Sequence, residues 1–161
     1  LLVAELNNGT KIYSPTAGKR ESGAPVFTFG GRIQGDIGPL ALGLQAKRTG
    51  KRYVNDSNLP IYKFGTAAAP SVEIYPAATP AYTLVDFDAR FSLEGIGLND
   101  KSYLQLNVTN VFDKLYVGGF SGGNQSPNYN LTTGAITGYP SPIFVQIGAP
   151  RTVMGSLVIA F

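Results

Sequence analysis

Asp86 and Asp88 lie two residues apart, with Arg90 two further on, in the run Tyr82-Thr-Leu-Val-Asp-Phe-Asp-Ala-Arg-Phe-Ser92. Two nearby carboxylates can share acid–base work, one holding a proton while the other accepts one. The chain lacks the groups that usually accompany such a pair. It has no histidine and no cysteine, which removes Ser-His-Asp and Cys-His nucleophiles, His-based metal sites, disulfides and thiol chemistry. Alternation gives the carboxylates a plainer role. In an extended strand Asp86, Asp88 and Arg90 share a face with Tyr82, Leu84 and Ser92, while Thr83, Val85, Phe87, Ala89, Phe91 and Leu93 take the other. The pair therefore reads as the polar side of a two-faced strand. No enzyme, cofactor or metal site is expected.

The same two-faced pattern recurs along the chain. Strands are expected over Leu1–Leu6, Pro25–Asp36, Leu40–Val54, Ala81–Gly95, Lys101–Val111 and Pro150–Phe161. Phe27, Phe29, Gly31 and Ile33 oppose Thr28, Gly30, Arg32 and Gln34. Leu104, Leu106 and Val108 oppose Gln105, Asn107 and Thr109. Val153, Gly155, Leu157, Ile159 and Phe161 oppose Thr152, Met154, Ser156, Val158 and Ala160. Breakers such as Asn-Asn-Gly, Ser-Pro and Ser-Gly fill 7–24. Connections alternate long and short: long over 7–24, 55–80 and 112–149, short at Gly35–Pro39 and Leu98–Asp100. Roughly ten-residue alternating strands, with short turns at one end and long loops at the other, are the pattern of an outer-membrane β-barrel. A soluble sandwich alternates too.

Composition fits an all-β chain with many turns: 20 Gly, 11 Pro, nine Tyr, nine Phe and no Trp. Charged residues make up 14%, low against about 25% in globular proteins. A net charge of +3, with no basic run interleaved with aromatics, argues against nucleic acid as a partner. No stretch approaches the roughly 18 apolar residues of a membrane helix, but a membrane strand needs only about 9–11. The chain opens directly in a strand-like run, as a fragment or a processed product would.

Two stretches carry a family resemblance. Gln105-Leu-Asn-Val-Thr-Asn-Val-Phe-Asp-Lys-Leu-Tyr116 resembles the "NvtNLFDkxY" segment near the end of TonB-dependent outer-membrane receptors, departing at Val111, where Leu is commoner. Gly148-Ala-Pro-Arg-Thr-Val153 with the terminal Phe161 resembles their closing "GaPRt…F". Thr16-Ala-Gly18 and Pro25-Val-Phe-Thr28 look like the family's upstream strand entry. The resemblance spans the chain. It implies an antiparallel up-and-down transmembrane β-barrel, of which 1–161 is a C-terminal fragment of about six strands, from a barrel of about 22 around a plugged lumen. The plug and the earlier strands would be absent, leaving raw sheet edges at Leu1–Leu6 and Arg151–Phe161.

The function implied is energised uptake of a scarce ligand, such as a ferric siderophore, across the outer membrane of a Gram-negative bacterium. Its partners would be outer-membrane lipid, the barrel-assembly machinery and the inner-membrane TonB protein, the last engaged through the absent N-terminal region. Arg32, Asp86, Asp88, Arg90 and Asn107 would face the lumen. Gly155, Leu157, Ile159 and Phe161 would serve as lipid face or assembly signal. Asn110 and Asp113 are read as punctuation at a strand exit, Phe112 and Tyr116 as interface anchors, and Arg151 as a donor to loop carbonyls or lumen carboxylates. Ligand-loop candidates are Tyr62, Phe64, Tyr75, Tyr116, Phe120, Asn124, Gln125, Tyr129 and Tyr139, because aromatic and amide groups suit a bulky hydrogen-bonding ligand. The loops contacting nothing stands as an equal reading. Two other functions remain open: a passive porin-like barrel, and a soluble β-sandwich carbohydrate-binding module. In the sandwich, Phe87, Phe91 and Leu106 would pack against a second sheet.

Overall fold

The computed structural model describes residues 2–13, 16–63, 72–121, 128–138 and 144–161. Apart from one 3₁₀ turn at Glu94–Ile96, its regular structure is β. In chain order the strands are β1 (Leu2–Glu5), β2 (Lys11–Tyr13), β3 (Thr28–Ile37), β4 (Leu40–Thr49), β5 (Arg52–Tyr53), β6 (Ile61–Lys63), β7 (Val72–Tyr75), β8 (Ala78–Thr79), β9 (Tyr82–Ser92), β10 (Tyr103–Thr109), β11 (Val117–Ser121), β12 (Asn128–Tyr129), β13 (Ile136–Gly138), β14 (Phe144–Ile147) and β15 (Thr152–Val158). They fall into two compact units. A sheet unit comprises 27–50, 81–116 and 147–161; a connection unit comprises 1–26, 51–80 and 117–146.

The sheet unit holds one five-stranded sheet in the order β15-β10-β9-β4-β3. Every pairing is antiparallel, so the long strands lie beside one another in the order the chain makes them. Register carries each face across the sheet. One row runs Ile33, Leu44, Phe87, Val108, Val153; the next runs Gly35, Leu42, Ala89, Leu106, Gly155; the third runs Ile37, Leu40, Phe91, Leu104, Leu157. The opposite face carries Arg32, Gln45 and Asp86, then Gln34, Gly43, Asp88 and Asn107, then Arg90 and Gln105. A slip of one residue in any strand would exchange its faces, and none of the four pairings in this sheet slips.

The two short connections share one end of the sheet. Ile37 pairs with Leu40 around Gly38, whose φ of +57° suits glycine, and Ser92 pairs with Tyr103 across the 3₁₀ turn. At the other end Thr49 lies beside Tyr82, and Thr109 beside Thr152. There the chain leaves for its long excursions, in the alternation expected from sequence.

Those excursions are more ordered than the breaker residues suggest. β5 pairs with β8, β6 with β7, β11 with β14 and β12 with β13. The expected strand Leu40–Val54 is divided: β4 ends at Thr49, and Arg52–Tyr53 pairs separately with Ala78–Thr79. Val54 and Ile61, both in this unit, are the buried large apolar residues among the described ones.

Three expectations are corrected. The sheet has five strands instead of about six, because β1 folds back on β2 as a local hairpin. Asn7-Asn-Gly-Thr10 makes that turn: the Leu6 N–H donates to Thr10 O at 2.8 Å and the Gly9 N–H, at φ +82°, to Leu6 O at 2.9 Å. Asn-Gly is a strong hairpin signal, not only a breaker. The sheet edges are therefore β3 and β15: the closing strand lies at an edge as expected, and β3 takes the edge expected of Leu1–Leu6. Among the described residues the sheet is open and no closed barrel forms. The closing strand also stops at Val158; beyond it the Ala160 N–H donates to the buried Ser102 Oγ at 3.0 Å, with Ile159 and Phe161 past the ladder.

Candidate functional site

The apolar face is a row of uncovered side chains. Ile33 is 72% exposed, Leu157 59%, Phe91 39% and Leu106 38%. A sandwich would bury this face under a second sheet; here Phe91 and Leu106 are exposed, Phe87 is half-buried, and no residue of the three rows is buried. The face is contiguous across five strands, far from the singly scattered apolar residues of an ordinary surface. Gly155 and Leu157 belong to it by register.

The polar face gathers the five residues expected there. Arg32 donates through Nη1 and Nη2 to the two carboxylate oxygens of Asp88, at 2.7 and 2.9 Å. This forked pair spans β4 at Gly43, where an added Cβ would sit 2.6 Å from the Asp88 oxygens and against the Arg32 guanidinium. Gly43 leaves the gap through which the pair closes. Asp86 Oδ1 accepts the Asn110 backbone N–H at 2.9 Å. The Arg90 guanidinium lies 3.7 Å from the centre of the Tyr103 ring, a cation–π contact. Gln105 Nε2 donates to Asn107 Oδ1 at 3.1 Å. Each carboxylate of the Asp86–Asp88 pair thus has its own structural partner.

At the long-connection end the two resemblance stretches are knotted together. Asn110, 4% exposed and at φ +51°, donates from Nδ2 to Lys114 O and to Ala149 O, each at 3.1 Å, and accepts the Lys114 N–H at 2.8 Å. Asp113 Oδ1 accepts the Arg151 N–H at 2.8 Å. The Gly148 N–H donates to Tyr116 O at 2.8 Å. The Tyr116 ring occupies the space that any side chain at 148 would need, and its centre lies 4.3 Å from that of the Tyr82 ring. Asn110 and Asp113 are thus turn-formers, as expected, and also clamps on a segment 39 and 38 residues away, respectively. The sequence shows the residues but not the partner.

The glycines on this unit predict a contrast. Gly43→Ala displaces the free ends of Arg32 and Asp88, an exposed pair, and costs less than about 1 kcal/mol. Gly148→Ala meets a ring already wedged against Tyr82 and costs about 1–3 kcal/mol. Urea unfolding of the two variants reads the difference; equal midpoints would refute the wedge.

In the connection unit the Tyr75 and Phe120 rings meet edge to face at 6.4 Å. Burial pushes the Tyr75 phenol up, against the opposing pull of the nearby Arg52 charge. Tyr129 lies in the β12–β13 hairpin, whereas Tyr116 belongs to the knot. Tyr62 is placed by its backbone in β6. Phe64, Asn124, Gln125 and Tyr139 lie outside the described residues. Arg52 closes the basic run Lys47-Arg48-Thr49-Gly50-Lys51-Arg52, which by sequence marks a strand end, and it is 8% exposed. Its guanidinium donates to Gly118 O at 2.8 Å and to Val117 O. Among the described residues no cluster of acidic groups could hold a metal ion.

Asp56 is held below the ordinary aspartate value because the Ser22 side chain, and then the Ser22 backbone N–H at 3.0 Å, bond to its carboxylate. A depressed folded pKa stabilises above the unfolded value and loses that effect as pH falls through the folded one. The Ser22 amide is expected to keep its protection from hydrogen exchange at pH 5 and through the usual aspartate value of about 3.9, and to lose it only as the pH falls through the lower folded value. Asp56→Asn should remove this pH dependence; a profile unchanged by the substitution would refute it.

Compared with family models the chain matches none, and no curated protein matches it.

Proposed function

We propose that this chain is the C-terminal part of the transmembrane β-barrel of a TonB-dependent outer-membrane receptor, taking up a scarce ligand such as a ferric siderophore in a Gram-negative bacterium. The carrying observation is the continuous, uncovered apolar face opposite a charged and amide-rich one. Lipid satisfies the first face and a polar lumen the second. The knot joining Asn110–Tyr116 to Gly148–Arg151 supports the reading, since it ties together the two stretches that carry the resemblance.

On this reading no covalent chemistry occurs on the chain. Ligand binds at the connections, where Tyr75 and Phe120 offer aromatic surface. Movement through the lumen is driven by the energy-transducing partner, acting through regions outside 1–161. Arg32, Asp86, Asp88, Arg90 and Asn107 line the lumen wall, while Leu157 and its row face lipid. Edge strands β3 and β15 pair with further strands of the same barrel, which removes the exposed edges.

The test is deletion of the native gene, followed by growth on defined iron and carbon sources and by localisation of the full-length protein. A growth defect on one chelated iron source, with the protein in the outer-membrane fraction, is expected. Outer-membrane location with unselective leakage of small solutes would favour the passive barrel instead. Recovery in the soluble fraction without detergent would overturn the membrane reading.

A further inference from the structure

The three segments of the connection unit are separated along the chain, yet each is bonded directly to both others. Residues 1–26 meet 51–80 where Asn58, at φ +54°, exchanges two bonds with the Arg20 backbone, both at 2.8 Å, and where Asp56 holds the Ser22 N–H. Residues 51–80 meet 117–146 through Arg52. Residues 117–146 return to 1–26 where the Asn7 N–H donates to Leu131 O at 2.9 Å. Arg52 stands at the crossing of these ties. Its backbone N–H donates to the buried Thr79 Oγ1 at 3.3 Å, Pro25 bridges to it, and its guanidinium faces the Phe120 ring at 6.0 Å. A charged donor aimed at two successive carbonyls, largely out of water, has a narrow geometry and strong bonds.

We propose that the three segments form one cooperative body pinned by Arg52, and not three independent loops. Segments tied pairwise in a closed triangle open together, because opening any one breaks bonds to both others. The consequence for binding is direct. Tyr75 belongs to one segment and Phe120 to another, and their rings touch, so a ligand that displaces either ring moves both segments. Contact at one connection is therefore felt at the others.

Hydrogen exchange of the full-length folded protein tests this without ligand or transport, so its failure is separate from failure of the receptor reading. Arg52→Met keeps an unbranched stem and removes the fork. Exchange should accelerate about tenfold at Val117–Phe120 and also in the β1–β2 hairpin, which belongs to another of the three segments, while Val85–Ala89 in the sheet stays unchanged. Asn58→Ala supplies the second variant: it cuts the tie to Arg20 and one bond inside its own segment, to Asn55 O at 3.1 Å, yet should also speed exchange at Val117–Phe120. If each variant loosens only the segment whose bond it removes, the segments are independent and the proposal is wrong. Loss of protection at Val85–Ala89 in either variant also overturns it, because the body would then not be a unit of its own.

Discussion

Leu106→Arg is expected to prevent stable insertion, whereas Asn107→Arg, one residue away, is expected to be tolerated. Leu106 lies in the middle of the apolar face, between Ala89 and Gly155 in register, and is 38% exposed. If lipid covers it, a guanidinium there must leave water or drag water in. The cost for Arg at the midplane of a barrel is about 2–4 kcal/mol, a large share of a marginal folding free energy. Asn107 points the other way and lies beside Asp88, so an added cation there gains a carboxylate neighbour. Unfolding by urea in lipid vesicles, together with the membrane-inserted fraction in cells, reads the contrast. Equal effects at the two positions would mean the faces are not in different solvents. A folded, detergent-free Leu106→Arg protein would mean that water covers the apolar face.

Asn110→Ala is expected to lower stability by about 3 kcal/mol. The side chain makes three bonds, two of them to Lys114 and one to Ala149, at a site closed to water. Alanine leaves the Lys114 N–H and the carbonyls of Lys114 and Ala149 without this partner, at about 1–3 kcal/mol for a buried unsatisfied group. It must also hold φ near +51°, which costs a residue with a Cβ about 1 kcal/mol more. Asn110→Gly separates the two effects: it loses the same bonds but none of the backbone preference, and should be about 1 kcal/mol less damaged. Asn110→Asp keeps the acceptor for Lys114 N–H but turns oxygen toward two carbonyls, and should be no better than alanine. Urea midpoints of the three variants decide this. If alanine and glycine behave alike, backbone conformation is not part of the role of Asn110.

These expectations differ in how much of them was legible in sequence. The faces of the sheet were, because side-chain direction in a strand alternates with period two and depends on nothing distant. Thus Phe87 and Phe91 could be assigned to one side and Asp86, Asp88 and Arg90 to the other, and register carried both assignments across five strands without exchange. The ends were legible as well, since Gly38-Pro39 allows only a tight turn and long polar stretches cannot. The split of the expected Leu40–Val54 strand was not: Gly50 marks a break, but whether the chain continues in the same ladder depends on Ala78–Thr79, the strand that captures Arg52–Tyr53.

Sequence alone determined a β chain with an apolar and a polar side and with unequal connections. Tertiary structure decided who pairs with whom. Leu2–Glu5 reads as a strand like the long ones, yet its partner is Lys11–Tyr13, because a hairpin turn only a few residues away closes at less entropic cost than a distant edge. Asn110 reads as a turn residue, and only the fold brings Ala149 to it. Gly43 reads as a gap in a strand, and only the neighbouring strands supply the Arg32–Asp88 pair that fills it. Arg52 reads as one cation in a basic cluster, and only the joining of separate segments aims it at Val117 and Gly118. A side chain's face follows from its own strand, but its partners follow from long-range pairing, which no local pattern encodes.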